Sequence, residues 1–412
     1  MNFPFYISKR YLVAKKSKNA INIISMISII GVTVGTAALI VVLSVFNGFD
    51  GVIKSMYNAF DPDIKITPAT GKVFSVKDNP RIDKIKNHPS VFDIAESLEE
   101  NALLKYDDQQ YVATVKGVSD NFNNISGVDT MMVAGEFVLK HNNQNYAVVG
   151  QGVAIFLSLN INFIDPLTIY VPKRDGKISI NPEQAFNRKA VFASGVFGIQ
   201  QEFDAKYVLV PIDFAQNLFE YSNSDVSALE LKIKPGYTIR KLQKEFKEIL
   251  GTDYEIKDRY QQHEMFYKIM KSEKWSIFLI LTFILIIASF NIIGSLTMLI
   301  IDKKEDIATL RALGANLQTI RKIFLTEGWM ISIVGALIGL VIGLFICWLQ
   351  IEFEFVRLKG AGSFIIDAYP VKMIWKDFVA VFFTVITIGF VAAWYPVRYI
   401  TRRYVLREIE GS

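Results

Sequence analysis

The chain has 412 residues, a net charge of +5 and a hydrophobic fraction of 51%. Its mean hydropathy of +0.29 is above that of ordinary globular domains, and the excess is concentrated in four apolar runs, at residues 23–46, 275–301, 328–349 and 374–395. This distribution excludes an entirely soluble chain, and the single cysteine, Cys347, excludes an intrachain disulfide.

Residues 1–20 precede the first run and combine aromatic with basic side chains. Phe3 and Tyr6 stand beside Lys9 and Arg10, a mixture typical of a helix that lies in the membrane interface. A short disordered tail is the alternative. We expect residues 1–20 to form a cytoplasmic interfacial segment.

The four apolar runs are each long enough to cross a bilayer, which takes about 20 residues of helix. Only a closed hydrogen-bond ladder satisfies the backbone in lipid. We therefore predict transmembrane helices at residues 21–47, 274–301, 328–349 and 374–396, called spans 1 to 4 below. The first run is about twice as long as the apolar part of a signal peptide and lacks an Ala-x-Ala-like site, so we expect a retained anchor.

Lysine and arginine cluster before span 1, between spans 2 and 3, and after span 4. Because short loops rich in these residues stay in the cytoplasm, both termini, residues 302–327 and the tail 397–412 are predicted to be cytoplasmic. Residues 48–273 and 350–373 are then outside. Contact of the basic clusters with anionic lipid explains the net charge, so no nucleic-acid partner is needed.

The large outer segment is predicted to be a mixed α+β domain with helical stalks that continue spans 1 and 2, at residues 47–60 and 260–274. Predicted strands lie at residues 64–67, 102–106, 111–116, 146–150, 167–171, 190–195, 207–210 and 226–233. Predicted helices lie at residues 79–86, 211–221 and 238–250.

Catalytic chemistry has little support in this segment. Of the three histidines, His263 begins an H-E-x-x-H-like pattern, but Tyr267 stands where the second ligand belongs. Ser194 lacks the flanking glycines of a G-x-S-x-G nucleophile elbow. We predict no catalytic residue, no metal site and no cofactor site in this chain.

One loop of the outer segment differs from the others in being basic and bounded by prolines. Pro172 and Pro182 stiffen it, and Lys173, Arg174 and Lys177 give it positive charge. It lies between two predicted strands, so it is predicted to be an exposed arm. Composition alone favours an ordinary solvated hairpin loop.

The loop between spans 2 and 3 contains a short predicted helix, residues 305–313. Glu305 and Asp306 at its start and Arg311 near its end suit the helix dipole, and Gly314 is placed to stop it. Its apolar stripe consists of Ile307, Leu310 and Leu313. Such a stripe must be buried against the spans, the headgroups or a cytoplasmic partner.

Together with its flanks, this segment resembles the FtsX/MacB-type ABC transporter permeases, and in particular their lipoprotein-releasing LolC/LolE branch. The stretches that carry the resemblance are ASFNIIGSLTMLIIDKKEDIATLRALGA at residues 288–315, SKRYL at 8–12, ISIIGVTVGTAALIVVLSVFNGF at 27–49 and IDAYPV at 366–371. The similarity extends over the whole length and is loosest in the outer segment.

The resemblance implies a noncatalytic permease in the bacterial inner membrane that works with a second permease chain, identical or related, and with cytoplasmic ABC ATPase subunits. Residues 305–313, stopped by Gly314, would be the coupling helix that binds in a cleft of the ATPase. No G-x-x-x-x-G-K-S/T phosphate loop occurs in the sequence, so ATP and magnesium would be bound by the ATPase.

The resemblance also implies that lipoproteins are extracted from the membrane and passed to a periplasmic carrier. The arm at residues 172–182 occupies the place of the hook that recruits this carrier. We expect the apolar side chains at the outer ends of spans 1 and 2 to line the path of the acyl chains. These are Val42, Val45, Phe46, Ile277, Phe278 and Leu281. Lipid-facing or helix-packing positions are the alternative for each of them.

Small residues recur at intervals of four in two spans. Gly31 and Gly35 in span 1, and Gly335, Gly339 and Gly343 in span 3, form G-x-x-x-G patterns. Such patterns predict close helix packing.

Three other functions remain open at this point. An FtsX-like regulator of a cell-wall hydrolase would have a smaller outer domain. A MacB-like exporter would be fused to its ATPase. The third alternative is a membrane-anchored enzyme or receptor. The absence of a catalytic constellation and the presence of the short cytoplasmic helix both weigh against it.

Overall fold

The structure is a computed structural model that describes residues 3–13, 19–161, 165–174, 185–357 and 368–410. The chain divides into two compact units. The membrane unit comprises Met1–Val52 and Lys268–Ser412, and the sheet unit comprises Ile53–Tyr267.

The described helices are α1 (Phe3–Val13), α2 (Asn19–Phe60), α3 (Pro80–Lys86), α4 (Phe122–Ile125), α5 (Gln151–Phe156), α6 (Gln201–Asp204), α7 (Ile212–Leu218), α8 (Ile239–Leu250), α9 (Arg259–Gln262), α10 (Glu264–Asp302), α11 (Lys304–Ala312), α12 (Leu317–Phe353) and α13 (Trp375–Glu410). A 3-10 turn spans Val128–Met131.

The described strands are β1 (Ile64–Pro68), β2 (Phe74–Ser75), β3 (Val91–Tyr106), β4 (Gln109–Val118), β5 (Met132–Gly135), β6 (Lys140–His141), β7 (Gln144–Gly150), β8 (Leu167–Pro172), β9 (Phe186–Phe197), β10 (Tyr207–Pro211), β11 (Asp225–Val226), β12 (Ala228–Ile233) and β13 (Tyr254–Asp258).

Among the described residues, four helices are long and apolar enough to cross a membrane: α2, α10, α12 and α13. Each predicted span lies almost entirely within one of them, and all four helices are longer than the predicted spans. At 42 residues, α2 is about 63 Å long, roughly twice the thickness of the hydrocarbon core. The predicted stalk at residues 47–60 is therefore continuous with span 1, and α10 covers most of the second stalk segment. The first residues of the chain also form a helix, α1, whereas its place in the interface stays a prediction.

Glycines allow α12 to approach α2 closely. A Cβ atom on Gly339 would lie 2.6 Å from the Thr33 carbonyl oxygen and 2.6 Å from the Thr36 Cβ. The Thr33 hydroxyl donates a hydrogen bond to the Gly335 carbonyl at 3.2 Å. On a neighbouring face of α2, a Cβ on Gly35 would meet Leu285 of α10 at 2.8 Å. The close packing predicted from the glycine patterns is confirmed.

The sheet unit is built on one mixed sheet in which eleven of the described strands pair. The main path runs β13-β1-β12-β3-β4-β10-β7-β9-β5, with β8 joining β3 and β9 and with β6 joining β7; β2 and β11 form a separate pair. Most neighbours are antiparallel, but β10 runs parallel to β4 and β7 parallel to β9. The domain is mixed α+β, as predicted.

Helices cover the sheet with residues at helical spacing. In α8, Leu242, Phe246 and Leu250 are buried at intervals of four and pack with Ile64 and Leu231 of the sheet. On another part of the sheet, the last turn of α2 packs together with α4 and α6.

The structure differs from the sequence prediction mainly in strand length and in small elements. Strand β3 begins at Val91, although only residues 102–106 were predicted as a strand. Neither α5 nor β13 was predicted. The residues missed in β3 are rich in glutamate, which usually disfavours strands.

Candidate functional site

The predicted coupling segment is a real helix, α11, one residue earlier than expected at each end. Its buried residue is Ile307, which packs in a cluster with residues of the three helices around it. The other members of that cluster are Leu299 and Ile300 of α10, Ile320 and Phe324 of α12, and Val397 of α13. Helix α11 is therefore anchored to the spans through one side chain.

The other two residues of the apolar stripe are less buried than Ile307. Leu310 is half-buried and Leu313 is 79% exposed. The carboxylates of Glu305 and Asp306 are exposed at the start of the helix, and Lys303 lies 3.5 Å from Asp306. Leu313 at the end of α11 and the two carboxylates at its start are thus exposed in the described structure.

A left-handed glycine ends α11. Gly314 has a φ of +91°, and its N–H donates to the Arg311 carbonyl at 2.8 Å. The Ala315 N–H reaches back to the Leu310 carbonyl at 2.9 Å. These bonds satisfy the last carbonyls of the helix, so its end is well defined.

The arm leaves a regular antiparallel ladder between β8 and β9, in which Pro172 faces Phe186. The Lys173 N–H still donates to the Ala185 carbonyl at 2.9 Å. Lys177 and Pro182, which were predicted to belong to the arm, lie outside the described residues.

Arg174 is committed to contacts within the domain. Its Nη2 lies 2.8 Å from Glu100 Oε1, and its guanidinium carbon lies 3.3 Å from the centre of the Tyr221 ring. The Tyr221 hydroxyl donates to the same Glu100 oxygen at 3.1 Å. These contacts fix Arg174 at the base of the arm, although Arg174, like Lys173, remains exposed.

The six residues predicted to line an acyl path do not share one environment. Val42 is 38% exposed, whereas Phe278 and Leu281 pack against the apolar core of the spans. Val45 and Phe46 are half-buried. Ile277 lines a recess of about 320 Å³ on one face of α10, together with Ile269, Ser272, Glu273 and Ser276.

Sequence reasoning missed a row of charges in the sheet unit. Lys116 is 2% exposed, and its Nζ lies 2.8 Å from Oε1 of the fully buried Glu230 and 3.6 Å from Glu99. Lys65 lies 3.1 Å from the same Glu99 oxygen. The Ser97 hydroxyl donates to Glu230 at 2.8 Å. The four side chains come from β1, β12, β3 and β4, and the sign of the charge alternates along their contacts, from Lys65 to Glu99 to Lys116 to Glu230.

Electrostatics and aromatic rings stabilise this row. Burial by itself raises the pKa of Glu99, but the ammonium groups of Lys65 and Lys116 outweigh it and hold that pKa at about 2. Lys116 also lies 4.7 Å from the ring centre of Phe60 and 5.1 Å from that of Phe122. The last turn of α2 therefore rests on the charged row.

Among the described residues, no group of three or more His, Cys, Asp or Glu side chains is placed to hold a metal ion.

Comparison with known families agrees with the geometry. The model of the MacB-like periplasmic core domain matches residues 25–249, and that of the FtsX-like permease C-terminal region matches residues 278–405. The chain therefore belongs to the FtsX/MacB-type ABC transporter permeases. As such it is a multi-pass protein of the inner membrane and a membrane component of a transporter, not a catalytic enzyme.

Several relatives align with this chain over nearly its whole length. The lipoprotein-releasing system transmembrane protein LolE of Haemophilus influenzae is 25% identical over 96% of this chain and 96% of its own length. LolC of Neisseria meningitidis is 26% identical over 95% of both chains. Over nearly its whole length the chain is thus similar to proteins named LolE and LolC. Among solved structures, the periplasmic region of MacB from Actinobacillus actinomycetemcomitans is 10% identical, with a TM-score of 0.36 over 53% of this chain and 98% of that one.

Proposed function

We propose that this chain is the permease subunit of an ABC transporter that extracts lipoproteins from the inner membrane and hands them to a periplasmic carrier. A separate ATPase supplies the energy through α11. The observation that carries the proposal is the packing of α11. Ile307 fixes this helix to the spans, while Leu313, Glu305 and Asp306 are exposed on its surface.

The proposal includes a topology. Both termini and residues 302–327 lie in the cytoplasm, and residues 48–273 form a periplasmic domain inserted between spans 1 and 2. The distribution of lysine and arginine supports this orientation. A second permease chain, identical or related, completes the membrane part.

The energetic problem for such a transporter is the acyl chain. Moving it from lipid to water costs about 0.8 kcal/mol per methylene, so three chains require tens of kcal/mol unless an apolar path is available. The exposed Val42 and the recess beside Ile277 support a path along α2 and α10. Lys173 at the base of the arm is a candidate contact for the carrier.

The grip of the ATPase on α11 is tested by copurification in detergent. Leu313→Asp places a charge in the proposed contact without disturbing the buried Ile307. We expect at least a tenfold loss of copurifying ATPase and a matching loss of ATP-dependent lipoprotein release. Val356→Asp is the matched control. Val356 is also an exposed apolar residue, but it follows the C-terminal end of α12, whereas α11 precedes the N-terminal end of that helix.

A second variant provides the result that would overturn the proposal. If Leu313→Asp and Leu310→Asp together leave both the copurifying ATPase and the release of lipoproteins at the parent level, α11 is not the coupling element.

A further inference from the structure

A polar cluster joins three membrane helices near their predicted outer ends. Lys274 of α10 lies between two partners: its Nζ is 2.8 Å from Asn47 Oδ1 and 3.0 and 3.1 Å from the two carboxylate oxygens of Asp377. The Asn47 amide donates to Asp377 Oδ2 at 2.6 Å. Asn47 belongs to α2 and Asp377 to α13, so every pair among the three helices shares a bond. We call these three residues the clamp.

The clamp is largely shielded from solvent. Asn47 is 3% exposed, and the side chains of Lys274 and Asp377 are 34% and 17% exposed. Charges in such a place are costly unless they are paired, and removal of one partner leaves the others without compensation. Separation of the three helices at this level is therefore disfavoured.

A strap of backbone reinforces the clamp on the α2 side. The Lys372 N–H donates to the Ser44 carbonyl at 2.9 Å. Gly48, next to Asn47, lies so close to the Pro370 carbonyl that a Cβ atom would be 2.1 Å from its oxygen. Only glycine fits here. The segment that leads into α13 thus crosses α2 in direct contact with it.

The geometry points to a mechanical role. We propose that Asn47, Lys274 and Asp377 are positioning residues that keep the outer ends of α2, α10 and α13 together as one block throughout the transport cycle. A displacement that begins at α11 then reaches all three helix ends at once. The inference deepens the proposed function and rests on it.

A reversible bridge tests whether the block stays closed. In a Cys347→Ala background, Asn47→Cys and Asp377→Cys remove the clamp, and a short bis-methanethiosulfonate reagent joins the two thiols. The full chain is assayed in its complex with the ATPase, in proteoliposomes that contain an acylated lipoprotein. Release to an added carrier and ATP hydrolysis are measured in parallel.

We expect the unbridged variant to release lipoprotein at least tenfold more slowly than its parent while ATP hydrolysis changes less than twofold. Bridging rejoins α2 to α13 but leaves Lys274 without its two partners, so release should recover in part, and a reductant should abolish the recovery. The split between hydrolysis and release distinguishes positioning from a general loss of structure.

Two control sets accompany the bridge. The exchange Lys274→Asp with Asp377→Lys keeps opposite charges in contact and should retain more release than Lys274→Met alone. Lys271→Met removes an exposed lysine one turn away on α10, and Lys376→Cys adds an unpartnered thiol beside Asp377; both should match the parent.

Opposite results overturn the inference. A bridged variant that stays inactive until the reductant is added would mean that the clamp opens during the cycle. An unbridged variant with parental release would mean that the contact is dispensable. Failure of the parent itself to release lipoprotein would contradict the proposed function instead, so the two failures are distinguishable.

Discussion

The buried charges of the sheet unit allow one prediction to be worked out in detail. Lys116→Met removes the ammonium group that neutralises Glu230, which is fully buried and has no other cation within salt-bridge distance in the described part of the sheet. Methionine fills a similar volume and keeps the contact with the Phe60 and Phe122 rings. The perturbation is therefore almost purely electrostatic.

The expected magnitude follows from the burial. Leaving one member of a buried ion pair without its partner costs about 3–5 kcal/mol. Domains are stable by roughly 5–15 kcal/mol, so this is a large part of the total. With a urea dependence of about 2 kcal/mol per molar, the unfolding midpoint should fall by about 1.5–2.5 M.

Urea unfolding of residues 53–267, followed by circular dichroism, measures the effect. Lys116→Met combined with Glu230→Met should recover most of the loss, because an apolar pair of similar volume often replaces a buried ion pair without cost. Lys257→Met is the control: Lys257 Nζ lies 2.7 Å from Glu255 Oε2, but both side chains are exposed, so the unfolding midpoint should hardly change. A single variant that loses less than 1 kcal/mol, or a double variant as unstable as the single one, would refute the reasoning.

Three further predictions concern other parts of the chain. Gly339→Val should destabilise the membrane unit by about 2–3 kcal/mol in thermal unfolding in detergent, whereas Gly294→Val, with nothing within 4 Å, should be neutral. Because the folded-state pKa of Glu99 is depressed to about 2, its stabilisation is present above about pH 4.5 and lost as the pH falls towards 2; Glu99→Gln should flatten this dependence in acid titrations. Ile307→Ala should loosen α11, lowering the thermal midpoint in detergent and weakening ATPase copurification.

Sequence periodicity was enough to find the long helices and most strands. The four apolar runs are long and uniform, so each could be located within a longer helix, and α8 was found because Leu242, Phe246 and Leu250 recur on one face. The first half of β3 was missed because Glu96, Glu99 and Glu100 disfavour a strand when considered locally. Two neighbouring strands impose the strand conformation, and lysines across the sheet compensate Glu99.

The candidate site was predictable only where local sequence signals determine it. The bounds of α11 follow from its acidic start and Gly314, but only tertiary packing decides that Ile307 is buried and Leu313 exposed. Arg174 is predicted to belong to the carrier-binding arm; its ion pair with Glu100, which lies 74 positions away in the chain, was not predicted. Contacts at that separation leave no periodic signal in the sequence.

The sheet unit brings its two chain ends into contact. The ring centre of Tyr57, near its beginning, lies 4.7 Å from that of His263 and 4.8 Å from that of Phe266, near its end. A module whose entry and exit share one site can be exchanged for another with equally close ends without lengthening any connection. Recombination between permeases could therefore replace the whole sheet unit in one step. Chimeras joined outside these aromatic residues should be tolerated better than chimeras whose junctions separate them.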